Sequence, residues 1–158
     1  MHVERSGASV GAMSTQDAPA PRHQRPDGVS DETVEALGKL SEALEAVEEA
    51  RGALYAFHRL SGHADLQVGE AADQLREAGH GGLADRLETE LVGRNVIDGR
   101  WTFQIVEDYD EHYYATFKDL ERSARDELIE GKTHVFEAEM KEDRRTHGRR
   151  HHEATPEG

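Results

Sequence analysis

Polar residues that interrupt otherwise apolar helical stripes are where this 158-residue chain offers chemistry. On one amphipathic stretch Glu48 sits at the edge of the stripe, with Arg51 and His58 inside it; on a second, Glu127, Glu130 and His134 lie on the stripe or its margin. Side chains three and four residues apart share a helix face. Two such stretches packed against each other would therefore aim carboxylates and imidazoles at a common point. Carboxylate-bridged metal sites in helical bundles are built this way, and oxygen and imidazole donors suit iron, manganese or zinc. Asp108 and His112, four residues apart, form a further pair on the shoulder of the second stripe.

The spacing differs from the Glu-x-x-His of di-iron bundles, since Glu130 to His134 and Asp108 to His112 are each one residue longer. The stretch LYAFHRLSGHADLQ, residues 54–67, resembles the His-containing first helix of the Dps-type ferritins. The acidic residues downstream do not follow that family's ligand spacing, so no ligand is carried over from it. A purely structural arrangement competes with the metal site: Arg51 pairs with Glu48 or Glu127, and His58 and His134 hydrogen-bond at the ends of the core.

A different kind of site is offered by NVIDGRWTFQIVEDYDEHYY, residues 95–114, which with Phe117 holds six of the nine aromatic residues. Trp101, Tyr109 and Tyr113 are candidates to line a small-molecule pocket, or else to pack one end of a core. Covalent chemistry has little to work with. There is no cysteine, and the GHGGLADR stretch lacks the strand and the Lys-Ser/Thr of a phosphate loop.

The elements that would position these residues are helices. Ser30 or Asp31 caps a first helix whose apolar positions Val34, Leu37, Leu40, Leu44 and Val47 recur at helical spacing. Ser61-Gly62 suggests its end, near 61. Shorter helices are expected at 65–78, closed by the glycines of GHGG, and at 83–92, closed by Gly93. The aromatic stretch reads in two ways. Asp98-Gly99 is a hairpin turn between Val96-Ile97 and Trp101-Phe103, or Asp98 caps a long last helix. The run Ile105, Tyr109, Tyr113, Phe117, Leu120, Ala124, Leu128, Val135 and Ala138 favours the helix, with Glu107, Glu111, Lys118, Glu121 and Arg125 facing water.

The expected fold is an all-α, up-down bundle of about four helices, two long (31–61 and 100–142) and two short. It occupies residues 30–142, between a Pro-containing N-terminal tail, 1–29, and a basic, His-rich tail, 143–158, both expected to be disordered. Met13 is an alternative start. The chain carries 33 acidic and 19 basic residues, which disfavours nucleic acid and anionic membranes and favours a basic or cationic protein partner. Without an apolar run of signal or transmembrane length, the expected location is the cytoplasm.

Middle helices half as long as the outer pair would leave part of the long stripes uncovered, and a second copy of the chain is the simplest cover. The expectation is thus a homodimer with an interaction or structural role. The alternative is a ferritin-like metal protein using Glu48, His58, Glu127, Glu130 and His134.

Overall fold

The structure, a computed structural model, describes residues 17–155. It is all-α: α1 (Asp31–Glu77), α2 (Gly81–Glu90), α3 (Thr102–Asp108), a π-helix (Tyr109–Tyr114), α4 (Ala115–Ile129) and α5 (Val135–Arg144), with a single 3-10 turn at Pro21–His23. No strand occurs among the described residues; the turn Asp98-Gly99 closes one isolated bridge between Ile97 and Arg100.

Several helix ends lie where their residue types put them. The Ser30 hydroxyl accepts from the Thr33 backbone N–H (3.3 Å), which caps α1. At the other end Gly79, with φ +91°, lets the N–H of His80 reach the Leu75 carbonyl and its own N–H reach that of Arg76, so two carbonyls of the last turn are satisfied. Gly93, at φ +72°, follows α2, and its N–H donates to Asp65 (2.7 Å).

Three boundaries differ from the sequence reading. First, α1 does not stop at Ser61-Gly62 but continues to Glu77, a helix of 47 residues that spans about 70 Å at about 1.5 Å per residue. A Cβ at Gly62 would meet nothing within 4 Å, so the glycine is only a weak helix former on an open face. It costs about 1 kcal/mol against alanine, too little to end a helix with good formers on both sides. Second, α3 begins at Thr102 and not at Asp98. Asp98 belongs to the turn, and the Trp101 N–H is taken by the side-chain carbonyl of Gln104 (2.9 Å). Third, the expected helix 100–142 is divided after Ile129, where Glu130, Gly131 and His134 all have left-handed backbone (φ 57°, 70° and 56°). The α-helical hydrogen-bond ladder cannot pass through such residues.

The chain forms two compact units. In the terminal unit, which comprises the described residues up to Lys39 and from Ser123 onward, Val34, Leu37, Ile129 and Val135 form a buried cluster with Val29 and Ala124 against it. Gly38 is needed there, because a Cβ at that position would stand 2.8 Å from Cγ of Phe136.

Residues 17–29, assigned to the N-terminal tail by the sequence reading, are held in this unit by polar contacts. His23 Nδ1 donates to the Thr133 carbonyl (2.5 Å), the Thr133 N–H donates to the Arg22 carbonyl (3.2 Å), and Arg25 forms a fork with Glu139 (2.7 Å on both arms). Arg145, its side chain only 2% exposed, binds Glu142 through two nitrogens, the carboxylate of Asp17 (2.6 Å) and the Asp17 carbonyl (2.7 Å). Residues 1–16 and 156–158, the rest of the expected tails, lie outside the described residues.

In the central unit, Leu40–Arg122, the buried apolar residues are Val47, Ala72, Ala84 and Val106. All four are small. The larger apolar side chains of this unit retain contact with water.

Candidate functional site

The densest polar arrangement of the central unit is centred on the π-helix. A π turn bonds residue i to i+5 and so takes in an extra residue. It brings Asp110 and Tyr114 round toward α1. Arg51 on α1 makes a two-armed ion pair with Asp110 (2.7 and 3.0 Å), and its guanidinium lies between the rings of Tyr55 and Tyr114, 5.0 and 4.9 Å from their centres. The Tyr55 hydroxyl donates to the same carboxylate (3.3 Å), the Tyr114 hydroxyl donates to Glu48 (2.6 Å), and the Tyr109 hydroxyl reaches the Val47 carbonyl (3.5 Å). Lys118 lies over the outer face of the Tyr114 ring, at 5.0 Å.

The electrostatics follow from this geometry. The hydrogen bonds of Arg51 hold the Asp110 carboxyl below the usual carboxylate range. The Tyr114 phenol is pushed up by its bond to Glu48, and that of Tyr109 by burial. The network pins the π-helix to α1 by a planar bidentate pair and by the cation–π contact of Arg51 with the Tyr114 ring.

The residues proposed from sequence are distributed as follows. Glu48 is the exposed acceptor of Tyr114, and His58, half-buried on α1, shares a hydrogen bond with the Thr102 hydroxyl (2.7 Å). Both belong to the central unit, whereas Glu127, Glu130 and His134 belong to the terminal unit. Glu127 is exposed on α4, Glu130 is the left-handed residue after that helix, and His134 precedes α5 with its ring against His23 (centres 5.7 Å apart). Among the described residues no three His, Asp or Glu side chains gather in a group able to hold a metal ion. Arg51 pairs with neither Glu48 nor Glu127. Its partner is Asp110, which the sequence reading passed over because an unbroken α-helix gives no reason for that residue to face α1.

Asp108 is drawn to Arg100, whose hydrogen bond lowers its pKa, and His112 stands 3.8 Å away from it as an outer neighbour. Trp101 packs on Phe103 (5.1 Å) and is 58% exposed, while Tyr109, Tyr113 and Phe117 form a ladder of rings 5.6 and 6.0 Å apart.

The extra residue of the π turn also rotates everything after it by about 100°, one residue's worth of helix. Two residues of the stripe expected to face inward, Tyr113 and Leu120, are turned out (56% and 65% exposed), whereas Phe117 is half-buried and Ala124 packs against the buried cluster of the terminal unit. Glu121, expected to face water, is 4% exposed and accepts from Ser41 (3.0 Å). The sequence carries no signal for this, since apolar spacing alone assumes an unbroken α-helix.

Comparisons of the chain with protein-family models, with curated proteins and with solved structures find no match.

Proposed function

We propose that this chain acts by association rather than catalysis, as a homodimer with an interaction or structural role. One observation supports the reading above the others: the only apolar residues that the central unit buries are Val47, Ala72, Ala84 and Val106, yet Leu60, Leu66, Val96, Trp101, Tyr113 and Leu120 are each more than half exposed among the described residues. Exposed large apolar side chains are unremarkable singly. Six of them in a unit whose buried apolar residues are Ala and Val leave much of its apolar surface in contact with water. Association removes such groups from water at about 25 cal/mol per Å².

The polar network favours the same reading, because it holds the π-helix in shape against α1. No helix among the described residues is long and apolar enough to cross a membrane, so these side chains do not form a bilayer span. Light scattering coupled to gel filtration, run over a hundredfold range of concentration, tests the proposal. A mass of twice 17.6 kDa at the upper concentrations is expected. A monomer throughout the range overturns it.

A further inference from the structure

We infer that the homodimer forms through the outward strip that the π-helix creates, Tyr113, Thr116, Phe117 and Leu120, packed on the same strip of a second copy in antiparallel register. This rests on the reading of the chain as a self-associating protein and adds where, and how, the copies meet.

The strip is defined by rotation and charge. At 100° per residue these four positions fall within an arc of about 100° on one side of the helix. The charged residues beside the strip and directly after it, Lys118, Asp119, Glu121 and Arg122, lie outside that arc. Each is engaged there: Lys118 on the Tyr114 ring, Arg122 with Asp119 (2.6 Å), and Glu121 inward with Ser41. Between Tyr113 and Leu120 the band is thus uncharged and partly aromatic, with Phe117 half-buried, on a chain of net charge −14; the next charged residue on the same arc is Glu127, two turns further along α4.

Charge selects the occupant. Two copies repel wherever their acidic surfaces meet, so they can approach closely only along a face that carries none of that charge. A basic partner is drawn instead to carboxylates, which the strip does not present. The surface of matching chemistry that is always present at equal concentration is the strip itself.

The sequence also fits a two-fold axis. With the axis between Thr116 and Phe117, Tyr113 of one copy lies opposite Leu120 of the other, and Thr116 lies opposite Phe117. A ring meets a branched aliphatic in the first pair and a small side chain in the second, so no two rings are forced into one space. Such self-complementary pairing is what an isologous contact requires. The Arg51–Asp110 pair, the two rings around Arg51 and the Glu48–Tyr114 bond hold the π turn that presents the strip.

The test uses full-length chain. Leu120→Glu places a charge at a site 65% exposed, where the folded monomer accepts it, and is expected to raise the dimer dissociation constant by about a hundredfold while helicity by circular dichroism is unchanged. Tyr113→Glu is expected to act likewise. Trp101→Glu, at an equally exposed ring outside the strip, is expected to leave the dimer intact. Because the chain has no cysteine, mixing Tyr113→Cys protein with Leu120→Cys protein under mild oxidation reads the register directly. A cross-link between the two variants in preference to either with itself supports the antiparallel strip. If the unaltered chain is dimeric but Leu120→Glu associates as before, or Trp101→Glu dissociates it, the strip is overturned and the homodimer stands. If the unaltered chain is monomeric, both readings fall.

Discussion

In the terminal unit Val34, Leu37, Ile129 and Val135 are almost wholly out of water, and Arg25 and Arg145 tie the segment at 17–29 to α5 around them. In the central unit the buried apolar residues are smaller, and the larger apolar side chains keep contact with water. Both units use an arginine fork as a fastener, Arg145 with Glu142 and Asp17 in one, Arg51 with Asp110 in the other. The difference lies in what is fastened. The Arg145 clasp closes chain segments over a core, whereas the Arg51 pair holds open a helical irregularity that turns apolar side chains outward. A fastener around a core stabilises the fold. One beneath an exposed strip prepares a surface.

The largest effect that tests this contrast is a core truncation. Leu37→Ala removes a side chain that the terminal unit buries almost completely, and is expected to cost about 2–5 kcal/mol by the transfer and cavity terms. Leu120→Ala, the same change at an exposed site, is expected to stay within about 0.5 kcal/mol when the monomer is measured in dilute solution. Chemical denaturation of both variants decides it. If Leu120→Ala proves as costly as Leu37→Ala in the monomer, the strip is core and the contrast fails.

A second test is Gly38→Ala. The added methyl would stand 2.8 Å from Cγ of the Phe136 ring and 3.1 Å from its Cβ, atoms close to the backbone that cannot swing away. Overpacking of this kind costs about 1–3 kcal/mol, more than the gain of about 1 kcal/mol from replacing glycine inside a helix. A net loss of stability is expected by thermal unfolding, and Phe136→Leu in the same chain should recover part of it.

The fasteners themselves respond to pH in one direction. Asp17 and Glu142 are held below their usual pKa by hydrogen bonds from Arg145, and Asp110 by those from Arg51. A carboxylate with a depressed folded-state pKa stabilises the fold above its unfolded value, and that stabilisation is lost as pH falls through the folded one. All three contributions are therefore intact at neutral pH. They are expected to disappear together on acidification below pH of about 4, with effects smaller than those of the core changes because the pairs are partly screened by solvent. The contrast is sharpened by Asp110→Asn. This variant is expected to lose part of the acid response and to weaken dimerisation, whereas Asp17→Asn is expected to lose part of the acid response and leave dimerisation unchanged. Titration followed by circular dichroism, with light scattering at neutral pH, separates the two.

Much of this architecture could be read from residue types. The Ser30 cap, the left-handed glycine that ends α1 and the helical spacing of Val34, Leu37 and Leu40 are local signals, decided by a few neighbouring atoms, and they lie in the structure where they lie in the sequence. The site was less legible for a physical reason. Placing Glu48, His58, Glu127, Glu130 and His134 together assumed one unbroken helical phase from Asp98 onward. The π turn at Tyr109–Tyr114 and the left-handed residues at Glu130–His134 each reset that phase. No composition or spacing marks a π turn in advance. Asp110 consequently escaped notice, although it supplies the carboxylate that Arg51 requires.

The smallest expected effect concerns the residue type that misplaced the end of α1. Gly38 and Gly62 lie on the same helix, one in each unit, and they should respond to the same substitution with opposite sign. At Gly62 a Cβ meets nothing within 4 Å, so Gly62→Ala adds only the restriction of the unfolded chain and the better helix propensity, about 0.5–1 kcal/mol of stabilisation. That gain exists only if the backbone at Gly62 is helical, as α1 requires. If the chain turned there, as Ser61-Gly62 first suggests, alanine would bring no gain, and in a left-handed turn it would bring a loss. A rise in melting temperature for Gly62→Ala beside a fall for Gly38→Ala is thus expected from one continuous helix packed closely at Phe136 and open at Gly62. Two changes of the same sign would contradict either the continuity of α1 or the close approach at Gly38.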